Sequence, residues 1–235
     1  MKRKYDLRLV EALQGNQETM TFKGAQVILK SIPDRNKPGE MDPRLAKAMR
    51  NALILMRFMP KGLMKMDLSP KGLAKLRLTF NAVKSIPIVT KTIEVTNNTV
   101  MAEDGAEIPI RIYTTSTMTD GQPILYYIHG GGFFAGHPEV VEESVKLIVE
   151  RYDIPVVSVD YRLAPENPFP TSHDDVLCVY RWILDHSTEF HGDPNRVFVG
   201  GDSAGGNLAQ SVSTRAYEQN LTPVKGQLLL YSTLN

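Results

Sequence analysis

Apolar runs and helical patterns alternate through the second half of the chain. Residues 123–128 and 154–159 are nearly continuous apolar runs, and residues 140–152 between them carry apolar side chains at helical spacing. Such runs are typical of strands that are buried on both faces. Repeated strand–helix units predict a mostly parallel sheet with helices on both faces. The alternation continues with a helix at 172–186, a strand at 197–199, a helix at 204–217 and a strand at 226–231.

The stretch before this pattern alternates between polar and apolar positions. Thr92–Thr96 alternates and ends at the pair Asn97–Asn98, and a second alternation follows the turn Asp104–Gly105. Two such segments joined by a tight turn predict two paired strands. The first 40 residues are weakly patterned, and we expect only a short helix ending at Gly15 and a short strand within residues 22–32.

Residues 41–84 combine helix-start signals with an excess of positive charge. Asp42-Pro43 and Ser69-Pro70 each place a capping side chain before a proline at the first helical position. Between residues 44 and 84, ten Lys or Arg residues stand against one acidic residue, and methionine is dense. We interpret residues 1–88 as an N-terminal segment with a helical cap, and residues 89–235 as the core.

The composition is that of an ordinary globular protein. The 235 residues suffice for one large α/β domain, and 42% of them are hydrophobic. The formal net charge of +1 predicts no overall attraction to nucleic acid. Cys178 is the only cysteine, so an internal disulfide is excluded. No secretory signal or membrane-spanning run is evident in the sequence, and we expect a cytoplasmic protein.

Ser203 lies in a glycine-rich turn between a predicted strand and a predicted helix. The sequence Gly201-Asp202-Ser203-Ala204-Gly205 has the pattern G-x-S-x-G. A sharp turn of this kind lifts the serine hydroxyl above the end of the sheet, and glycines let neighbouring backbones pass closely. The following helix N-terminus favours developing negative charge. The alternative is a strand-to-helix turn without chemistry, but the flanking strand and helix favour a nucleophile.

A second glycine-rich segment follows the buried strand at 123–128. It reads His129-Gly130-Gly131-Gly132-Phe133. Three glycines allow backbone N–H groups to turn inward, where they can stabilise the oxyanion of acyl transfer. A flexible loop is the alternative. Because a serine turn lies downstream, we favour an oxyanion hole.

The segment Asp160–Glu166 follows the next predicted strand and is rich in turns. Pro165, Pro168 and Pro170 exclude a regular helix there. We interpret it as structural, with charges that pair with each other and brace the neighbouring loops.

These three motifs, in this order and spacing, resemble the hormone-sensitive lipase family of α/β-hydrolases, which includes acetyl esterases and arylacetamide deacetylases. The resemblance runs from about Lys91 to the end of the chain and departs at Asn167, where the family usually has histidine. It implies an α/β-hydrolase fold with a mostly parallel central sheet, helices on both faces and a helical cap over an acyl pocket. It also implies a serine carboxylesterase for short-to-medium acyl esters, without metal or cofactor.

The resemblance also implies a role for residues of both glycine-rich motifs. Ser203 is the nucleophile that forms an acyl-enzyme. The N–H groups of Gly131, Gly132 and Ala204 form the oxyanion hole, and His129, Gly130 and Asp202 line or support the site.

A serine triad also needs a base and an orienting acid, which follow the serine in this fold. The residues after Ser203 include neither histidine nor aspartate, and Glu218 lies in the serine's own predicted helix. We therefore expect an incomplete core whose C-terminal strands are absent, and a weakly active or inactive fragment. Two alternatives are a non-catalytic small-molecule binding protein and a chain completed by a second polypeptide.

The expected partner is a small-molecule ester rather than nucleic acid. The basic, methionine-rich residues 41–84 have three interpretations: a solvated face over a core, a mobile cap, or a patch that binds an anionic membrane. Membrane binding is the weaker alternative. A homodimer is left open.

Overall fold

The structure is a computed structural model, and it divides the chain into two compact units, Met1–Leu68 and Ser69–Asn235. In the first unit, β1 (Gln17–Phe22) pairs antiparallel with β2 (Ala25–Lys30). The sequence predicted one strand in this region, because β1 contains only two apolar residues. The expected helices before Gly15 and after Asp42-Pro43 lie outside the described residues. The structure describes residues 17–22, 25–30, 50, 67, 69–82, 87 and 89–234.

A mixed sheet forms the centre of the second unit. Its strands are β3 (Glu94–Met101), β4 (Glu107–Thr114), β5 (Gln122–Ile128), β6 (Val156–Val159), β7 (Gly192–Asp202) and β8 (Gly226–Leu230). Their spatial order is β3-β4-β6-β5-β7-β8. Strands β6, β5, β7 and β8 are parallel, while β4 runs antiparallel to both β6 and β3. The predicted mostly parallel sheet is therefore confirmed.

Helices cover both faces of this sheet, as predicted. The helices are α1 (Pro70–Asn81), α2 (Pro138–Tyr152), α3 (Thr171–His186) and α4 (Ala204–Glu218), and a 3-10 turn spans Ser187–Phe190. On one face of the sheet, Ile124, Tyr126 and Ile128 of β5 pack in one buried cluster with residues of α3 and α4. On the other face, Leu125 and Tyr127 pack with residues of α2. Alternate residues of β5 thus face opposite layers, which explains its continuous apolar run.

Two differences from the sequence predictions concern the edges of this unit. Strand β3 does not end at Asn97–Asn98 but continues to Met101, with Asn98 opposite Ile110 of β4. The asparagines are exposed on an edge strand, where polar side chains are tolerated. Helix α1 belongs to the second unit, although the sequence grouped it with the N-terminal segment. Its assignment to a cap stays a prediction.

The described helices include none with the length and apolar character required to cross a bilayer.

The carboxyl ends of the parallel strands β5, β6 and β7 meet at one edge of the sheet. The two glycine-rich motifs and the segment after β6 leave the sheet at that edge, which is where ligands bind in open α/β sheets.

Candidate active site

Ser203 occupies a strained turn between β7 and α4. Its φ is 52° and its ψ is −118°, a conformation that few residues other than glycine adopt. The turn is fixed by three backbone hydrogen bonds. The N–H of Ser203 donates to Leu230 O at 2.9 Å, and the Ser203 carbonyl accepts from the N–H groups of Gly206 and Asn207. The structure thus contains the predicted strand–turn–helix around this serine.

Gly205 allows α4 to approach the end of β5. A Cβ at this position would collide with the backbone carbonyl oxygens of Ile128 and His129. Any side chain would therefore push α4 away from β5. Because Ser203 precedes α4 directly, the absence of that side chain also brings the serine close to the residues that follow β5.

The residues that follow β5 form a compact turn, which we call the glycine loop (residues 129–136). The Gly131 carbonyl accepts from the N–H groups of Phe134 and Ala135 at 3.2 and 3.0 Å. Gly131 has a φ of 131°, and a Cβ there would collide with the Ala135 carbonyl. Within the described residues, no oxygen accepts a hydrogen bond from the N–H of Gly131 or Gly132. Both donors are thus available to a ligand.

A carboxylate connects the serine turn to the glycine loop. Asp202 Oδ1 accepts from the N–H of Gly130 and from the hydroxyl of Tyr127, both at 3.1 Å. Burial, followed by the nearby Asp202 charge, raises the pKa of Tyr127, so the phenol stays a donor. Asp202 therefore holds the start of the glycine loop beside Ser203. Sequence reasoning assigned Asp202 to the site but missed Tyr127, which is 75 residues away.

His129 is a buried part of the loop. Its Nδ1 lies 2.8 Å from Gly130 O, and its ring stacks on Tyr161 with centroids 4.4 Å apart. Burial lowers the pKa of His129 to about 4, so the ring is neutral near pH 7. Nε2 lies 3.9 Å from Asp160, which is too far for a hydrogen bond, and a neutral ring forms no ion pair. His129 is thus a buried, neutral ring within the loop, and its expected supporting role stays a prediction.

Ser203 and the glycine loop face one cavity of about 400 Å³. Asp202, His129 and Gly130–Gly132 line it with the serine, while Ala204 is buried directly after Ser203. The N–H of Ala204 begins α4 and has no intrahelical acceptor. The structure thus brings the expected site residues together. Sequence reasoning did not identify the apolar wall of the cavity, which consists of Phe80, Phe134, Val140 and Val141.

A second cavity, of about 380 Å³, is lined largely by charged residues of α3 and its neighbours. Its arginines are already paired with carboxylates: Arg162 with Asp175 and Asp104, Arg181 with Glu103, and Arg215 with Asp174. Because the charges of this cavity neutralise each other, we expect it to bind a charged ligand only weakly. We therefore assign the candidate site to the cavity at Ser203.

The segment Asp160–Glu166 braces its surroundings, but the expected pairing within the segment is wrong. Arg162 binds the buried Asp175 of α3, and Glu166 binds Arg77 of α1. Arg162 and Glu166 thus bind partners on neighbouring helices rather than each other.

The described residues include all five histidines, and none forms a hydrogen bond with Ser203. They also contain no group of three or more His, Cys, Asp or Glu side chains arranged to hold a metal ion. The candidate site therefore combines a serine in a strained turn with the unbonded N–H groups of Gly131 and Gly132, and none of the described histidines is placed to act as its base. His137 contacts Glu139, His173 lies between Phe133 and Phe169, His186 contacts Trp182 O, and His191 contacts Asp120.

Comparison with known families agrees with this geometry. Residues 125–235 match a family described as having the alpha/beta hydrolase fold. The sheet order and the serine turn between β7 and α4 are those of this fold. The chain has the α/β-hydrolase fold.

Named relatives are similar to this chain over part of their length. Carboxylesterase NlhH of Mycobacterium tuberculosis is 34% identical over 157 residues, which are 67% of this chain and 49% of the relative. Arylacetamide deacetylase of Bos taurus is 38% identical over 135 residues, 54% of this chain and 34% of the relative. These relatives agree with the resemblance to the hormone-sensitive lipase family that the motifs predicted. It spans about half the length of NlhH.

Solved structures of esterases are similar as well. EstE1, a thermophilic carboxylesterase cloned from a metagenomic library, is 34% identical with a TM-score of 0.66, covering 73% of this chain and 58% of that chain. A bacterial heroin esterase is 30% identical with a TM-score of 0.70, covering 83% and 59%.

Proposed function

We propose that this protein is a serine carboxylesterase that cleaves short-to-medium acyl esters through an acyl-enzyme on Ser203. One observation carries the proposal: a serine in a strained turn lines the same cavity as Gly131 and Gly132. The named relatives, which are carboxylesterases and esterases, support the reaction class.

The proposed reaction begins with attack of Ser203 Oγ on the ester carbonyl. The carbonyl oxygen becomes an oxyanion, which the N–H groups of Gly131, Gly132 and Ala204 stabilise by about 3 kcal/mol per donor. The C–O bond to the alcohol then breaks and leaves an acyl group on Oγ. Water attacks this acyl-enzyme and releases the carboxylic acid, so the reaction needs no metal or cofactor.

A base must take the Oγ proton and pass it to the leaving alcohol. We assign this role to a histidine and an orienting acid supplied from outside residues 1–235, because no described side chain is placed for it. Without them, residues 1–235 alone would be slower by several orders of magnitude, with residual activity from the oxyanion hole.

The cavity wall supports a preference for acyl groups of modest length. Phe80, Phe134, Val140 and Val141 present apolar surface next to Ser203. Burial of each methylene of an acyl chain against such a wall contributes about 0.8 kcal/mol. A cavity of about 400 Å³ has room for a short-to-medium chain.

The second candidate function is that of a non-catalytic small-molecule binding protein. The lack of a base beside Ser203 among the described residues favours it. In both cases the proposed partner is a small ester rather than nucleic acid, and the proposed location is the cytoplasm. A homodimer and binding of the basic helices to an anionic membrane stay as alternatives.

Hydrolysis of p-nitrophenyl acetate and butyrate by the complete gene product tests the proposal. We expect turnover in the wild type and a loss of about 1,000-fold or more in Ser203→Ala. Ser211 lies on α4, the helix that follows the turn, and Ser211→Ala is the control that should keep wild-type activity. Equal rates in wild type and Ser203→Ala would refute the nucleophile. Tight binding of the ester without turnover would favour the binding protein.

A further inference from the structure

Helix α1 contacts the glycine loop as well as the cavity. Arg77 Nε donates to Phe134 O at 2.6 Å, and Asn81 Oδ1 accepts from the N–H of Gly136 at 3.2 Å. The ring of Phe80 meets the ring of Phe134 edge to face, with centroids 5.8 Å apart. One turn of a single helix therefore holds the second half of the loop.

Arg77 also joins the loop to the segment that follows β6. Its Nη2 donates to Ala164 O at 2.9 Å, and its two terminal nitrogens bind the Glu166 carboxylate at 2.9 and 2.6 Å. The N–H of Ala164 in turn donates to Phe133 O in the loop. A planar guanidinium can make all of these bonds at once, whereas a lysine ammonium cannot match the fork.

Two of the three predicted oxyanion donors, the N–H groups of Gly131 and Gly132, lie between two fixed points of the loop. Asp202 holds Gly130 on one side, and α1 holds Phe134 and Gly136 on the other. Gly131 and Gly132 have no side chain of their own to anchor them. Their N–H groups are therefore directed by the anchors at both ends.

We propose that α1 is a positioning element for the oxyanion donors, and that Arg77 and Asn81 carry this function. By fixing the far end of the glycine loop, they set where the N–H groups of Gly131 and Gly132 lie relative to Ser203. Arg77 is a positioning residue, since it contacts the carbonyls of Phe134 and Ala164 and the carboxylate of Glu166 and does not line the cavity. The proposal rests on the function proposed above.

A positioning role predicts a defect in kcat rather than in KM. Phe80, Val140 and Val141 of the apolar wall form no hydrogen bond with Arg77, so most of the acyl-binding surface is kept in an Arg77 variant. The N–H groups of Gly131 and Gly132, once displaced, no longer point at the oxyanion. We expect kcat to fall roughly tenfold to hundredfold while KM changes less than about threefold.

The test uses the complete gene product with Arg77→Met, its matched control Lys75→Met, and Arg77→Lys. Lys75 is exposed on the same helix, so its variant removes a cation without touching the loop. Kinetics with p-nitrophenyl butyrate are combined with hydrogen exchange of the Ala135 and Gly136 amides. We expect Arg77→Met to lower kcat and to speed this exchange, Arg77→Lys to be intermediate, and Lys75→Met to match the wild type.

Each other outcome decides the question as well. Wild-type kcat in Arg77→Met overturns the proposal, even if loop exchange is faster, because the contacts would then be merely structural. If hydrogen exchange in Arg77→Met also rises in β5 and β7, that variant is unfolded. The same comparison of kcat and loop exchange in Arg77→Lys and Glu166→Gln then decides the question instead. Wild-type activity in Ser203→Ala refutes the proposed function, while loop exchange still shows whether α1 holds the loop.

Discussion

Asp175 is completely buried, and its charge is matched by Arg162. The carboxylate accepts from the Arg162 backbone N–H at 2.9 Å and from its Nη2 at 2.6 Å. Because both the backbone and the guanidinium of one residue bind it, Asp175 attaches the segment after β6 to α3. That segment also contains Ala164 and Glu166, the residues that Arg77 binds. The Arg162–Asp175 ion pair therefore fixes the position of a segment that borders the candidate site.

Neighbouring aspartates allow a direct test of this pair. Asp175→Ala leaves a partly buried guanidinium without its main partner, and we expect a loss of about 3–5 kcal/mol in the free energy of unfolding. Asp174→Ala removes a half-exposed pair with Arg215 and should cost less than about 1 kcal/mol. Urea unfolding measures both. Equal transition midpoints would contradict the structural role of Asp175.

At the residue scale, the sequence predicted the groups that leave a local signature. Gly131 and Gly205 stand where a positive φ or a close backbone leaves no room for a side chain, so glycine itself marks the position. Arg77 could not be predicted, because it binds Phe134 and Glu166 at separations of 57 and 89 residues. Any of the many surface cations could have made such contacts.

At the scale of elements, the turn from β7 into α4 depends on how closely α4 approaches β5. Strand β7 pairs with β5 and ends at Asp202, and α4 starts two residues later. Gly205 faces the end of β5 within the first turn of α4. Glycine at position 205 is therefore required for the geometry of the candidate site as well as for the packing of α4.

Gly205→Ala should therefore be far more damaging than an alanine in an open turn. Its Cβ would collide with backbone, which cannot move aside as a side chain can, and we expect a loss of about 2–4 kcal/mol. Gly105→Ala is the control, since nothing lies near its Cβ and only its positive φ costs about 1 kcal/mol. Thermal unfolding compares them, and similar midpoints would show that α4 can withdraw without penalty.

Helices and strands could be predicted from the sequence where burial gives their apolar residues a regular spacing. Buried β5 and the helices α2–α4 carry strong patterns, and the structure has each of them. Strand β1 was missed and β3 was shortened because their positions are mostly polar. Pairing with a neighbouring strand, rather than their own sequence, defines such strands.

At the scale of the whole molecule, the second unit has an uncovered apolar area on its sheet. Phe198 of β7 lies beside Leu125 in register and thus shares the face on which Leu125 packs with α2 residues. Yet Phe198, Leu228 and Leu230 are 40%, 40% and 37% exposed. Strand β8 also ends the row of described strands. Exposed apolar surface next to a sheet edge favours association.

We expect residues 1–235, expressed by themselves, to self-associate through this area as concentration rises. Leu230→Lys should reduce the association, because it places a charge on both the apolar area and the edge strand. Leu147→Lys is a matched control, since Leu147 is also 37% exposed but lies on α2. Sedimentation velocity over a range of concentrations measures the effect. Equal behaviour of the two variants would exclude this area as the cause.

The central claim is that Ser203 is the acylated nucleophile, and covalent trapping tests it most directly. The complete gene product is treated with an organophosphate that carries a p-nitrophenol leaving group, digested, and analysed by mass spectrometry. The account predicts one adduct per chain, on Ser203, and no adduct in Ser203→Ala. An adduct on another residue, or unchanged labelling of Ser203→Ala, would contradict it.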